Sequence, residues 1–212
     1  MRRQKSTRVR DGRLRAFRIA AFLCLAACIL STVLVSRHPD ISAENLAGIP
    51  LLLQGNYPQP VAVIEGKARS VKSSGCGAVC MAMAIRYLTD REEDPQDWFL
   101  WAYENGYYHG DGLGHEALSA MAKLCHLRSD WVGRSESDRV LRALKSGWPV
   151  IAHMDRGTFT RNGHYILLRG VLENGKILVN DPASRKRSSV SYDFSLILDE
   201  MKTNTGLLIL SI

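Results

Sequence analysis

Ser73-Ser74-Gly75-Cys76-Gly77-Ala78-Val79-Cys80-Met81-Ala82-Met83-Ala84-Ile85 is the stretch on which the reading of this 212-residue chain turns. Polar and glycine residues run into an almost unbroken apolar series, with a cysteine at the junction. Ser73 or Ser74 can cap a helix. The body of that helix, Ala78 to Leu88, is apolar nearly all round and is expected to be buried. Cys76 then falls in the first turn, where unpaired backbone N–H groups and the positive end of the helix dipole favour thiolate over thiol. The flanking glycines leave room for a substrate backbone. Taken alone, the stretch reads equally as a small buried cysteine at a tight turn, and features far downstream decide between the two.

Working outward, the net charge of +7 first suggests a nucleic-acid binder. It is confined to the N-terminus: residues 1–18 hold eight basic side chains against Asp11 alone, and residues 19–212 carry 20 basic and 20 acidic residues. A neutral body removes the electrostatic case for nucleic acid. The five cysteines, Cys24, Cys28, Cys76, Cys80 and Cys125, form neither a disulfide framework nor a paired C-x-x-C zinc pattern. Cys80 and Cys125 read as core. His109, Asp111 and His115 lie within seven residues, but with no second cluster to complete a metal site they read as a glycine loop leading into a helix. No metal and no cofactor is expected.

Ile19 to Val35 is an uncharged apolar run flanked by the basic tail and by Ser36-Arg37-His38-Pro39-Asp40. As a helix it spans about 25 Å against a hydrocarbon core of ~30 Å, and Arg18 can snorkel to lengthen it. An uncleaved anchor, a cleaved signal peptide and a lipoprotein signal compete, the last because Leu25-Ala26-Ala27-Cys28 resembles a bacterial lipobox. The apolar run continues past Cys28, where a lipoprotein turns polar, so the anchor is preferred. In each case the positive-inside bias keeps the tail cytoplasmic and places the remainder extracytoplasmic. The expected organisation is a basic cytoplasmic tail (1–18), a transmembrane signal anchor (19–36), a tether (37–49) and one domain (50–212).

Within that domain Leu51-Leu52-Leu53-Gln54 reads as a first strand. Helices are expected from Asp94-Pro95 to Gly106, over His115–Leu127, and from Ser135 or Ser137 to Gly147. The period then changes. Strands are expected at Trp148–Met154, His164–Leu172 and Lys176–Asp181, the last two joined through Asn174-Gly175, a strong hairpin signal. A helix over Tyr192–Lys202 and a strand over Gly206–Ile212 close the chain. Helices first and an antiparallel sheet afterwards make the class α+β.

Cys76 opens a helix, His164 opens a strand and Asp181 closes the next. That order supplies a nucleophile, a general base and a carboxylate that fixes the imidazole tautomer. Parity across an ideal Asn174-Gly175 hairpin puts His164 and Asp181 on one face of the sheet but four residues apart along it, so a bulge, bend or twist must close the gap.

With these blocks in place the chain resembles the C39-like peptidases of the papain-like cysteine peptidase group. The resemblance rests on Gly75-Cys76-Gly77-Ala78, Gly147-Trp148-Pro149-Val150-Ile151, Gly163-His164-Tyr165-Ile166-Leu167-Leu168-Arg169-Gly170-Val171 and Val179-Asn180-Asp181-Pro182, and covers about residues 50–205. It implies a papain-like α+β fold with Cys76 as nucleophile, His164 as base and Asp181 as third member. It also implies an upstream glutamine at the oxyanion, for which Gln54 matches best and Gln59 is second. Ala78 stands where the family commonly has proline. Classical members cut leader peptides as part of ATP-driven exporters. This chain carries no Walker motif, so the resemblance is to the stand-alone branch. The implied activity is hydrolysis of a peptide or related amide bond in a peptide or protein substrate. The alternatives are an inactive peptide-binding module and a cell-wall peptide hydrolase or acyl transferase on the same scaffold.

Overall fold

The computed structural model describes residues 48–212 other than Glu65 and Asp111. The basic tail, the expected anchor at 19–36 and residues 37–47 of the tether lie outside the described residues. Among the described residues no helix is long and apolar enough to cross a membrane.

The expected strand at Leu51–Gln54 does not form. Pro50 and Pro58 bracket this segment and lack the N–H that a ladder needs. A 3₁₀ turn over Gln54–Asn56 takes its place. The segment is held by isolated polar contacts: Gln54 N–H donates to the Pro182 carbonyl at 2.8 Å, and the Asn180 amide donates to the carbonyls of Ile49 and Pro50 at 3.1 and 3.2 Å.

Strands β1 (Pro60–Ile64) and β2 (Lys67–Ser70) then pair antiparallel. A short helix α1 (Val71–Ser74) follows, and after Gly75 comes α2 (Cys76–Thr89). The serines do not cap the cysteine helix. The Ser73 hydroxyl accepts from Ser70 N–H at 3.0 Å and donates back to the Ser70 carbonyl at 2.9 Å, so it serves α1. Gly75 is the residue between the two helices, and a Cβ there would sit 2.6 Å from Val71 Cα and 2.9 Å from Val71 O. Backbone atoms cannot swing aside as a side chain can. Gly75→Ala is expected to destabilise the domain by about 1–3 kcal/mol, read as a lowered denaturant midpoint at unchanged slope.

Helix α3 (Pro95–Glu104) is capped by Asp94, whose Oδ1 accepts from Gln96 N–H at 2.8 Å. The small hairpin of β3 (Tyr108–His109) and β4 (Gly112–Leu113) leads into α4 (His115–Leu124). Helix α4 stops three residues before the expected end, and His126 takes a positive φ of 58° just beyond it. The unforeseen β5 (Arg128–Val132) and then α5 (Ser137–Lys145) follow. The sheet-forming part contains β6 (Val150–Met154), β7 (His164–Val171), β8 (Ile177–Asn180), α6 (Arg185–Ser188), β9 (Ser191–Tyr192), α7 (Phe194–Glu200) and β10 (Leu207–Ser211). The last helix is shorter than expected because Tyr192 is taken into β9.

The main sheet is antiparallel in the order β5-β10-β6-β7-β8-β9, so the fold is α+β as expected. Both of its faces are covered. Tyr165 and Leu167 of β7 pack with α2, α3 and α4, while Ile166 and Leu168 pack with α5 and α7. This two-sided burial is why β7 reads as a continuous apolar run rather than an alternating one. Helix α2, buried from Gly77 through Ile85, lies against β7 and brings its first residue to the start of that strand.

Candidate active site

Cys76 is half-buried at the first position of α2. The His164 imidazole lies beside its sulfur, as do the backbone N–H groups of Tyr165 and Gly77, and all three favour the thiolate. His164, the first residue of β7, is 7% exposed. Its Nε2 donates to Asp181 Oδ1 at 2.9 Å, which leaves Nδ1 for the thiol. Asp181 follows β8 directly and is fully buried.

The gap between His164 and Asp181 is closed by two local departures from the ideal hairpin. The turn is a three-residue loop, Glu173-Asn174-Gly175, with Leu172 N–H donating to the Lys176 carbonyl at 2.8 Å and Gly175 at a φ of 81°. This is a common alternative to the two-residue turn, and its αL position demands glycine. A β-bulge between Leu168 and Gly170 then removes a second residue from the offset. The two shifts reduce the separation from four residues to two. They also restore the parity that either alone would invert, so both side chains stay on one face at the diagonal spacing long side chains bridge.

Asp181 is held from several sides. Beyond His164, its Oδ1 accepts from Ala183 N–H at 2.8 Å, its Oδ2 accepts from Arg187 Nε, and its own N–H donates to Ser188 Oγ at 2.8 Å. The short helix α6, started by Ser184, whose hydroxyl accepts from Arg187 N–H at 3.1 Å, thus exists to return Arg187 and Ser188 to the carboxylate. Sequence reading missed these two residues. The available signal was the basic run Arg185-Lys186-Arg187 a few positions after a buried acid.

Charge follows from this wiring. Burial opposes an imidazolium at His164, but the bonds to Asp181 and Cys76 outweigh it and lift the group to about 9. Burial pushes the Cys76 thiol up, yet the His164 contact and the two backbone donors bring it below the ordinary value. Burial likewise opposes ionisation of Asp181, and its bonds to His164 and Arg187 reverse the sign. Both shifts favour placing the proton on the imidazole rather than on the thiol. Cys80, one turn along the same helix, contrasts with this: it is buried, donates to the Tyr165 carbonyl at 3.4 Å, and its thiol is pushed well up. Cys125 is buried as well, and the three cysteines among the described residues are free.

Cys76 and His164 line a cleft of about 890 Å³, within the size range of small-molecule and cofactor sites. Arg69 and Ser73 contribute from the helical half, and the loop between β6 and β7 contributes from the sheet half. Gln54 is not brought into this cleft. Its Nε2 donates to the Lys72 carbonyl at 3.0 Å, and it lines a separate depression with Asn56, Pro182 and Arg185. The cause is the 3₁₀ turn that replaces the expected strand. Gln59 is exposed. His109 and His115, read as parts of a glycine loop, both contact the Glu116 carboxylate, His115 at 3.3 Å. Among the described residues no group of three potential ligands is placed to hold a metal ion; Asp111 lies outside them.

Among curated proteins none matches the chain. The fold is shared with a protein from Bacillus anthracis described as a C39-like peptidase, at a TM-score of 0.52 and 13% identity over 77% of this chain and 94% of that one. A second similar structure is the peptidase domain of Streptococcus ComA, described as a bi-functional ABC transporter involved in quorum sensing. There the TM-score is 0.46 at 20% identity, over 65% of this chain and 90% of that one. A family model, the Peptidase_C39 like family, matches residues 48–204, nearly the whole of the described region and about three quarters of the chain. The chain therefore belongs to the Peptidase_C39 like family.

Proposed function

We propose that this chain is a cysteine peptidase that hydrolyses a peptide or related amide bond through Cys76, His164 and Asp181. The observation that carries the reading is the meeting of Cys76, His164 and Asp181 from three separate elements, with Cys76 and His164 lining one cleft and His164 Nε2 on Asp181 Oδ1 at 2.9 Å. The Cys76 thiolate attacks the substrate carbonyl carbon, and the carbonyl electron pair moves to oxygen. The Cys76 N–H, at the first helical position and without an intrahelical acceptor, is placed to stabilise that oxyanion. Collapse expels the amine, which takes the proton from His164, and leaves a thioester. His164 then accepts a proton from water as the water attacks, and a second collapse releases the carboxylic acid and restores the thiolate. Asp181 holds the imidazole tautomer throughout.

Reactivity and pH test this directly. Alkylation of Cys76 by iodoacetamide is expected to set in below the ordinary thiol range of about 8.5, because His164 and the backbone donors favour the thiolate. For cleavage, kcat/KM is expected to fall as pH rises through about 9, where His164 loses the proton needed by the leaving amine. Labelling of Cys76 only after denaturation, at the rate shown by Cys80 and Cys125, would instead mark the chain as an inactive binding module.

The same proposal places residues 19–36 in the membrane as an anchor, with the basic tail cytoplasmic and the domain outside. The apolar run and the eight cations before it support this. Protease shaving of intact cells is expected to remove the domain from the membrane fraction, and recovery of intact protein in the soluble fraction would contradict it.

A further inference from the structure

The cleft around Cys76 treats its charges unequally. Four cations line it: Arg69 at the end of β2, Arg156 and Arg161 in the loop between β6 and β7, and Lys202 after α7. Among the described residues none of the four has a carboxylate within ion-pair distance, whereas Arg86, Arg91, Arg134, Arg139 and Arg187, none of them in the cleft, each hold one. Arg69 Nε is in addition buried without an acceptor. The Lys202 ammonium lies against Gly163, where a Cβ would come within 3.2 Å of it, immediately before His164 in the chain.

The carboxylates nearby are fewer, and among the described residues only Asp155 lines the cleft, so four cations there face one acid. Glu116 is shared by His109 and His115. Glu200 accepts from the N–H and hydroxyl of Thr158, each at 2.7 Å. Asp155, the acid in the cleft wall, accepts from Arg156 N–H at 2.8 Å. In a body whose basic and acidic residues balance, unpaired cations gathered in one concave site focus a positive potential on it.

Building on the hydrolase reading, we propose that the substrate is an acidic peptide, carrying carboxylates on residues next to the scissile amide. The recognised chemistry is the carboxylate itself, whether on Asp and Glu of an encoded peptide or on the stem peptide of a cell wall. Arg69 meets it from the helical half of the cleft, and Arg156, Arg161 and Lys202 meet it from the sheet half.

The test needs no known substrate. The full-length chain is alkylated with neutral iodoacetamide and anionic iodoacetate, and modification at Cys76 is read by peptide mass spectrometry. The rate with iodoacetamide reports the thiolate, and the ratio of iodoacetate to iodoacetamide reports the cations. The ratio at Cys76 is expected to exceed that in the urea-unfolded chain by at least about tenfold, and to fall with added salt. It is also expected to fall severalfold in Arg156→Gln/Arg161→Gln/Lys202→Gln and, separately, in Arg69→Gln. A ratio equal to the unfolded value, or one indifferent to these variants, overturns the proposal while leaving the hydrolase intact. If neither reagent modifies Cys76, the hydrolase reading fails and calorimetry on the Cys76→Ala chain decides the rest. Tighter binding of a capped hexapeptide with three glutamates than of its glutamine twin supports the acidic ligand, and equal binding refutes it. Cleavage profiling of acidic peptides beside muropeptides assigns the source, and cleavage confined to neutral peptides refutes the proposal.

Discussion

His164→Ala is expected to lower kcat/KM for peptide hydrolysis by two to four orders of magnitude, the usual worth of a positioned acid–base group, with Cys76→Ala as the zero. The loss has two parts. The leaving amine no longer receives a proton, and the thiol loses the neighbour that brings its titration down. Burial, the largest influence on Cys76, then stands opposed only by the N–H groups of Gly77 and Tyr165. The pH profile of iodoacetamide labelling is therefore expected to move upward in the variant. Unchanged hydrolysis, or an unmoved labelling profile, would remove His164 from the mechanism.

Asp181→Ala carries the largest expected cost in stability, about 3–5 kcal/mol, because breaking a buried pair strands its partner. Four groups converge on this side chain and its backbone: His164, Arg187, Ala183 and Ser188. Asp181→Asn is expected to be milder, since its amide oxygen can still accept from His164 Nε2. Removing the charge brings His164 down from about 9 in both variants, and histidine NMR titration measures it. The pH dependence has a definite sign. The Asp181 carboxyl is held below its ordinary range in the folded protein. Its stabilisation is therefore present at neutral pH and is lost as pH falls through the folded value. The gap in stability between the native chain and Asp181→Ala should accordingly narrow in acid. A gap that is constant across that range would mean that the carboxylate is structural only by volume.

Much of this site was legible as a pattern and little of it as a distance. The glycine–cysteine junction before an apolar helix, and the parity of His164 with Asp181, follow from periods of 3.6 and 2 that local sequence records faithfully. The closure of the last two positions depends on a three-residue loop and a bulge at Arg169, where Asn174-Gly175 signals a hairpin but not its length. Arg187 was hidden because its role depends on α6, a four-residue helix with no apolar period to betray it. Strands β1, β2 and β5 were missed for a related reason: they lie at edges, and segments such as Lys67-Ala68-Arg69-Ser70 are polar, with no alternating apolar face. The strand at Leu51–Gln54 was expected because three leucines in a row suggest one, while the prolines on either side lack the N–H that a ladder needs. Ser73 and Ser74 looked like caps for α2 because nothing in the sequence announces the short helix between Ser70 and Gly75.

The pairing of β7 with β8 acts as a ruler for chemistry performed some distance away. A residue inserted within the loop at 173–175 can be absorbed there, because Ile177 and Val179 anchor β8 in the core. A residue inserted between Lys176 and Asp181, or loss of the extra residue at Arg169, would instead slip the register by one and turn Asp181 to the opposite side of the sheet from His164. A descendant carrying such an uncompensated slip would have given up catalysis with both residues unaltered.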